Sequence, residues 1–177
     1  AGAAAGSDPV GKAKEEIAEK ALRFIEPDDI IALDGGSTTL EIARKLDNTP
    51  LTVVTNDLYI IGELIRKDRI QLVVPGGYRN RNLLAGTEAI SFIRKLNIRK
   101  AFVSTIGIHT DFGMTIYVGE LLEQKRAWVE CAKETYCVAD HTKFDKSALK
   151  TFAALDEVGM IVTDGGLSEE VAGKYAA

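Results

Sequence analysis

An aspartate, two glycines and three hydroxyl side chains stand in a row at Asp34-Gly35-Gly36-Ser37-Thr38-Thr39, a set of groups suited to holding an anion. The apolar run Ile30-Ile31-Ala32-Leu33 leads into them and a short amphipathic stretch follows, so the segment reads as strand, turn and helix. Paired glycines let the backbone approach a ligand closely, and Ser37, Thr38 and Thr39 offer hydroxyls to phosphate oxygens. The helix start adds unpaired N–H groups and the positive end of its dipole at the same spot. An ordinary connection capped by Ser37 or Thr38 would use the same residue types, so this turn alone leaves both readings open.

The design recurs along the chain. Val53-Val54-Thr55-Asn56-Asp57 and Leu72-Val73-Val74-Pro75-Gly76-Gly77 end apolar runs in small or polar residues. Ala101-Phe102-Val103-Ser104-Thr105-Ile106-Gly107 and Tyr136-Cys137-Val138-Ala139-Asp140-His141-Thr142-Lys143 do the same. In an open parallel sheet such ends gather along one edge, where ligands bind. That edge would bring together Asp34, Ser37, Thr38, Thr39, Asn56, Gly76, Gly77, Arg79, Asp111, Lys125 and Lys143. Carboxylates and Asn accept from hydroxyls, glycine N–H groups and Ser/Thr hydroxyls hold phosphate, and a lysine or arginine neutralises its charge. The set suits a small, hydroxylated, phosphorylated ligand. A nucleotide fits less well, because Gly35-Gly36-Ser37 follows neither the G-x-G-x-x-G nor the Walker pattern.

Other chemistries find less support. His109 and His141 are the only histidines, and neither has a second ligand at helical spacing, which argues against zinc. No G-x-S-x-G turn is present, and Cys137 sits in a Val-rich strand where a structural thiol is expected. His141 remains open as a general acid or base or as a hydrogen-bonded loop histidine. Position just past a strand end favours a ligand role for Lys143 over that of a solvated loop lysine. Lys125, within the amphipathic Leu121–Val129, reads as part of a charged helix face. Asp111 is either a ligand contact or the stabiliser of a turn before Gly113. No catalytic residue, metal site or cofactor is expected.

These residues need elements to position them. Lys12 to Ile25 predicts an amphipathic helix, followed by strand 30–33, helix 39–46, strand 51–55, helix 58–66 and strand 70–74. This βαβ alternation predicts an α/β fold with a mostly parallel open sheet flanked by helices. Tyr78 to Leu84, with Arg79, Asn80, Arg81 and Asn82, breaks the rhythm and reads as a flap over the site. Helix 88–96 and the strand ending at Thr105 follow, then a Gly- and Thr-rich segment from Gly107 to Gly119, a long helix from Glu120 to Lys133, and strands 136–139 and 160–163. Residues 1–9 read as a cloning scar or linker remnant, and 10–177 as a single domain.

The balance of 22 Lys plus Arg against 26 Asp plus Glu, a net charge of −4, makes this chain a poor match for a nucleic-acid backbone by itself. No apolar run is long enough to span a bilayer, so no membrane partner is expected. Two cysteines without a partner cluster fit a reduced, cytoplasmic protein.

Five segments in order resemble one family. Leu33-Asp34-Gly35-Gly36-Ser37-Thr38-Thr39, Val54-Thr55-Asn56, Pro75-Gly76-Gly77, Gly107-Ile108-His109-Thr110-Asp111-Phe112-Gly113-Met114-Thr115 and Ala139-Asp140-His141-Thr142-Lys143-Phe144 are similar to the effector-binding domain of DeoR-family bacterial transcriptional regulators, over about Lys12 to Asp164. The resemblance implies a fold like that of ribose-5-phosphate isomerase and the coenzyme A transferases. It also implies a phosphorylated sugar or polyol effector, and DNA contact only through an N-terminal helix-turn-helix outside this chain. The implied ligand loops are Asp34, Gly35, Gly36, Ser37, Thr38 and Thr39, then Thr55 and Asn56, then Gly76 and Gly77 with Arg79 on the flap, then Asp111 and Gly113, and finally Lys143. The family commonly carries a serine before that lysine; Thr142 keeps the hydroxyl here, while His141 is bulkier. A homodimer or homotetramer is implied as well. The expected function is that of a sensor in a repressor of sugar-metabolism genes, without turnover. A sugar-phosphate isomerase of the same fold is the alternative, with Asp34, Asp111 or Glu123 as base and Lys143 as electrostatic partner.

Overall fold

The structure, a computed structural model, describes residues 9–117 and 121–176. Its centre is a six-stranded, all-parallel sheet built from β1 (Ile30–Leu33), β2 (Leu51–Val54), β3 (Ile70–Val73), β6 (Ile98–Val103), β9 (Ala132–Val138) and β11 (Met160–Val162). The order across the sheet is β11-β9-β6-β1-β2-β3. β1 therefore has β2 on one side, with Ile31 opposite Val53, and β6 on the other, with Ile31 opposite Lys100. The chain winds outward from β1 first in one direction and then in the other.

The short apolar strands are buried on both faces, as parallel strands covered by helices must be. Ile31 and Leu33 of β1 and Phe102 of β6 enter one core with Ile17, Ala18 and Ala21 of α1 (Pro9–Leu22), Ile42 and Ala43 of α2 (Ser37–Lys45) and Ile60 and Leu64 of α3 (Leu58–Leu64). Their neighbours Ala32, Ala101 and Val103 enter the opposite core with Ile93 of α4 (Thr87–Ile93) and Trp128 of α5 (Leu122–Cys131). Each large side chain buried in this way stabilises the domain by about 1.5–3 kcal/mol relative to exposure.

Two smaller sheets sit beyond the central one. β4 (Tyr78–Asn80) and β5 (Leu83–Ala85) form an antiparallel hairpin, so the expected flap is regular structure turning at Arg81, which takes a φ of 57°. β7 (Gly107–His109), β8 (Gly113–Ile116) and β10 (Lys150–Ala153) form an antiparallel sheet where only a Gly- and Thr-rich segment was foreseen. A short helix α6 (Glu169–Tyr175) follows β11.

Element boundaries differ from expectation by up to four residues. α1 begins at Pro9, whose missing N–H is harmless in a first turn, and stops at Leu22; β9 begins at Ala132, where the long helix was expected to continue. The reading of residues 1–9 as a scar or linker lies outside the described residues except for Pro9, and so does the expected helix start at Glu120. Among the described residues no helix is long and apolar enough to cross a membrane.

Candidate functional site

In open α/β sheets the crevice outside the carboxyl ends lies where the winding direction reverses. Here that point falls between β1 and β6, and their last residues are tied together across it. Asp34 N–H donates to the Phe102 carbonyl at 3.0 Å, while the Asp34 carboxylate accepts from Ser104 N–H at 3.1 Å and from the Ser104 hydroxyl at 3.3 Å. Lys125, projecting from α5, forms an ion pair with the same carboxylate and donates to the Ser104 carbonyl at 2.8 Å. Its ammonium also lies 5.0 Å from the centre of the Phe152 ring. Both charges are buried, and these hydrogen bonds offset their loss of water.

The pair floors a cavity of about 180 Å³. Gly35, Ser104, Thr105 and Gln124 complete its polar lining, and Leu83, Ile106, Ile116 and Leu121 its apolar walls. Cys137, buried behind it, is no nucleophile: burial pushes its thiol up to about 12 despite the nearby Lys125.

The glycine turn arrives at this cavity with its amides uncapped by side chains. Gly36, at a φ of +152°, is the N-cap of α2, and no side chain bonds the first turn. Ser37 is exposed, Thr38 is buried, and the Thr39 hydroxyl donates back to the Gly36 carbonyl at 3.0 Å. Capping by Ser37 or Thr38 is thus absent. A side chain at Gly35 would put its Cβ 2.7 Å from Leu83 Cδ2 and 3.0 Å from Asp57 Oδ2, so these side chains would have to shift to admit it.

Thr55 and Asn56 are fully engaged in building the loops. The Thr55 hydroxyl donates to the Leu33 carbonyl at 2.8 Å and accepts from Asp57 N–H at 3.2 Å. Asn56 donates to the carbonyls of Gly76 and Leu84 at 3.2 and 3.0 Å, and its oxygen accepts from Gly76 N–H at 2.9 Å. It therefore holds the Gly76–Gly77 loop and the hairpin together. Gly77, at a φ of +112°, would place a Cβ 2.2 Å from the Ala85 carbonyl oxygen. Asp57 caps α3 through Tyr59 and Ile60 N–H and accepts from Asn82 at 2.6 Å, which ties down the other side of the hairpin. Arg79 on that hairpin is exposed and donates to the Arg81 carbonyl at 2.9 Å.

The last two expected loops stand apart from the cavity lining. Asp111 lies in the tip between β7 and β8, and Gly113 opens β8; Asp111 is exposed and its N–H donates to His109 Nδ1 at 3.1 Å. Gly113, at a φ of +75°, packs a would-be Cβ 2.4 Å from the Ala153 carbonyl. Lys143 is half-buried in the short turn His141–Lys143, capped by Asp140, and has no ion-pair partner among the described residues. His141 leans on Asp164, with its backbone N–H 2.8 Å and its Nδ1 2.7 Å from the carboxylate. Burial raises the Asp164 carboxyl, but bonds from His141 and from Gly166 N–H together hold it below the usual carboxylate range.

The structure therefore gathers Asp34 and Gly35 at the cavity and packs Asn56 and Gly76 behind its hairpin. It adds Ser104, Gln124 and Leu83, which are not among the expected ligand residues, and Lys125, which the strand-end reading brings to this edge but helical periodicity assigns to a charged face. Ser104 carried the strand-end signal. Lys125 reads as a surface charge by helical periodicity but is buried, and nothing in the sequence marks Gln124 or Leu83.

A parallel sheet covered on both faces, with a polar-floored cavity at its switch point, defines an α/β domain of the ligand-binding kind. The chain belongs to the family described as the DeoR C terminal sensor domain, which matches residues 11–165. It is 38% identical over 162 residues to the HTH-type transcriptional regulator IolR of Bacillus subtilis, covering 89% of this chain and 64% of that protein. It is 36% identical over 157 residues to the transcriptional repressor AccR of Agrobacterium fabrum, covering 86% of this chain and 61% of that protein. The chain thus spans under two thirds of the length of these relatives. Among solved structures, ribose 5-phosphate isomerase A of Methanocaldococcus jannaschii superposes with a TM-score of 0.55 at 16% identity, over 74% of this chain and 53% of that one. The eIF2B beta subunit of Chaetomium thermophilum does so with a TM-score of 0.60 at 17% identity, over 94% and 53%. At such identities the likeness is one of fold.

Proposed function

We propose that this domain is the effector sensor of a DNA-binding repressor of sugar metabolism, taking a phosphorylated sugar or polyol without turning it over. The observation that carries the reading is the join at the switch point: a helix start whose first amides lack side-chain caps opens beside a cavity floored by Asp34 and Lys125. The phosphate sits against the amides of Gly36 to Thr39 and the hydroxyl of Ser37, with Gly77 supplying a further amide and Arg79 and Lys143 charge from the surrounding loops, while Gly76 keeps its N–H on Asn56 and shapes the third loop. Asp34 takes ligand hydroxyls. Thr55 and Asn56 act by positioning the second loop and the hairpin, and Asp111 and Gly113, apart from the cavity lining, shape the β7–β8 turn.

The groups at hand support binding without reaction. An isomerase needs a base beside the reacting carbon. Asp34 is already paired with Lys125, Gln124 is an amide that cannot take a proton at neutral pH, and Asp111 and Glu123 are exposed outside the cavity lining. A helix-turn-helix joined upstream would supply the DNA contact, in a cytoplasmic homodimer or homotetramer. Differential affinity of the effector for two arrangements of the protein needs about 1–3 kcal/mol of coupling to change operator binding by five- to 150-fold.

A thermal-shift screen against sugar phosphates, polyol phosphates and their unphosphorylated counterparts tests this, with NMR following each hit. A phosphate-dependent rise in Tm without conversion is the expected result. Conversion would make the protein an enzyme, and no shift from any phosphate would remove the anion loop.

A further inference from the structure

Hydrogen-bonding groups are unevenly supplied in the switch-point cavity. All three protons of the Lys125 ammonium have acceptors, in Asp34 Oδ2, the Ser104 carbonyl at 2.8 Å and Ser104 Oγ at 3.2 Å. The Ser104 hydroxyl is directed at the Gly35 carbonyl, and the Thr105 hydroxyl at the carbonyls of Gly107 and Thr115, 2.9 and 3.1 Å away. The lysine and hydroxyl donors in the lining are therefore spent within the protein. Two acceptors are not. Gln124 donates one of its two amide protons to the Leu84 carbonyl at 3.0 Å, and its Oε1 receives no proton from any described residue. The same holds for Asp34 Oδ1, since every bond to that carboxylate ends on Oδ2. Both side chains belong to residues more than nine-tenths buried, at 5% and 4% exposure, and both line the cavity. Neither oxygen is sealed off, since among the described residues Trp128 Nε1 is the one buried side-chain nitrogen or oxygen without a partner. A donor-bearing occupant would take the place of water at two acceptors that no described protein group serves.

We infer that Gln124 is a specificity-determining residue of the sensor, its Oε1 joining Asp34 Oδ1 to accept protons from hydroxyl groups on the ligand's carbon chain. This rests on the sensor reading above and sharpens it. The anion is held by backbone amides at the start of α2, whereas the carbon chain lies against the apolar walls and must bring its own donors. Inorganic phosphate satisfies the first half only. A polyhydroxylated phosphate satisfies both. The cavity, about 180 Å³, equals roughly six water volumes and so admits a chain of a few hydroxylated carbons.

Trp128, the sole tryptophan, follows Lys125 by one turn on α5 and gives a label-free fluorescence signal for the test. The 177-residue chain and its Gln124→Met variant, close in shape but without acceptor or donor, are titrated with inorganic phosphate and with glycerol, erythritol, ribitol and glucitol monophosphates. The parent is expected to prefer at least one polyol phosphate over inorganic phosphate, and the Met variant to lose about tenfold of that preference. Gln124→Glu, which keeps an acceptor oxygen, is expected to retain more of the preference than Gln124→Met, and it serves in its place if the Met variant does not fold. Equal loss for polyol and inorganic phosphate would overturn the assignment of Gln124, as would a parent that binds inorganic phosphate yet gains nothing from any polyol. In both cases the anion loop would survive. Failure of the parent to bind any of these probes would instead overturn the sensor reading, and the assignment with it.

Discussion

Asp29, just before β1, and Asp34, just after it, each meet a lysine in the interior, yet only one of the two carboxylates is closed on every side. Asp29 pairs with Lys100 at 2.7 Å and accepts from Glu26 N–H and Ile30 N–H, both at 3.2 Å, so both of its oxygens are used. Asp34 pairs with Lys125 through one oxygen and turns the other toward a cavity. The concavity beside Asp29 is larger, about 380 Å³, but Arg23, Arg99, Lys100 and Lys133 alternate there with Glu26, Asp29 and Glu134. Volume does not separate the two edges of the sheet. What separates them is whether the buried charge has hydrogen-bonding capacity left over: the amino edge uses its pair as a clamp, the carboxyl edge as a floor.

That contrast can be broken by experiment. The largest effect is expected for Asp29→Ala, which leaves Lys100 only the exposed Glu26 at 4.0 Å and removes the acceptor of Glu26 and Ile30 N–H, and should cost about 3 kcal/mol in urea unfolding. Asp34→Ala should cost less, because Lys125 keeps Ser104 and the Phe152 ring, but should abolish binding of a phosphorylated ligand. The reverse order of stabilities would end the distinction between clamp and floor. Next comes Lys143→Ala, expected to weaken such a ligand by about 1.5–3 kcal/mol in calorimetric titration with the fold intact. Unchanged affinity would take Lys143 out of the site.

Gly35→Ala sharpens the comparison at the loop itself. Its Cβ would press on Leu83, and the expected cost is about 1–2 kcal/mol of stability, with a larger loss of affinity. Unfolding alone, with affinity kept in the folded fraction, would make the loop structural. The smallest effect concerns Asp164, whose depressed carboxyl contributes stability that is present above its unfolded value near pH 4 and is lost as pH falls through its lower folded value. Asp164→Asn should flatten that acid limb in Tm measured between neutral pH and about pH 3.

The parallel sheet was legible because each of its strands announces itself twice, by a short apolar run and by the small or polar residues that end it. Ile30–Leu33 before Asp34 and Leu51–Val54 before Thr55 are examples. The antiparallel sheet was not, since β7 and β8 are three and four residues long and their Gly107, Gly113 and Thr115 carry no strand pattern. The same asymmetry holds at the site. Groups supplied by strand ends, such as Asp34 and Ser104, fall where the alternation puts them. Groups supplied from α5 do not, because periodicity places Lys125 and Gln124 on a polar stripe, and only the packing of that stripe over Ser104 and Leu84 buries them.

Gly36 begins α2 with backbone alone, and this bears on motion as well as on recognition. A helix start without a side-chain cap opens more readily than one with it, so the amides of Ser37 to Thr39 belong to the part of the domain expected to exchange hydrogen fastest for its depth. An anion seated there acts as the cap. Exchange at those three amides should then slow in proportion to occupancy, while α3, already capped by Asp57, keeps its rate. Recognition at this loop would thus be readable as a local change in opening free energy, in one helix and not in its neighbour.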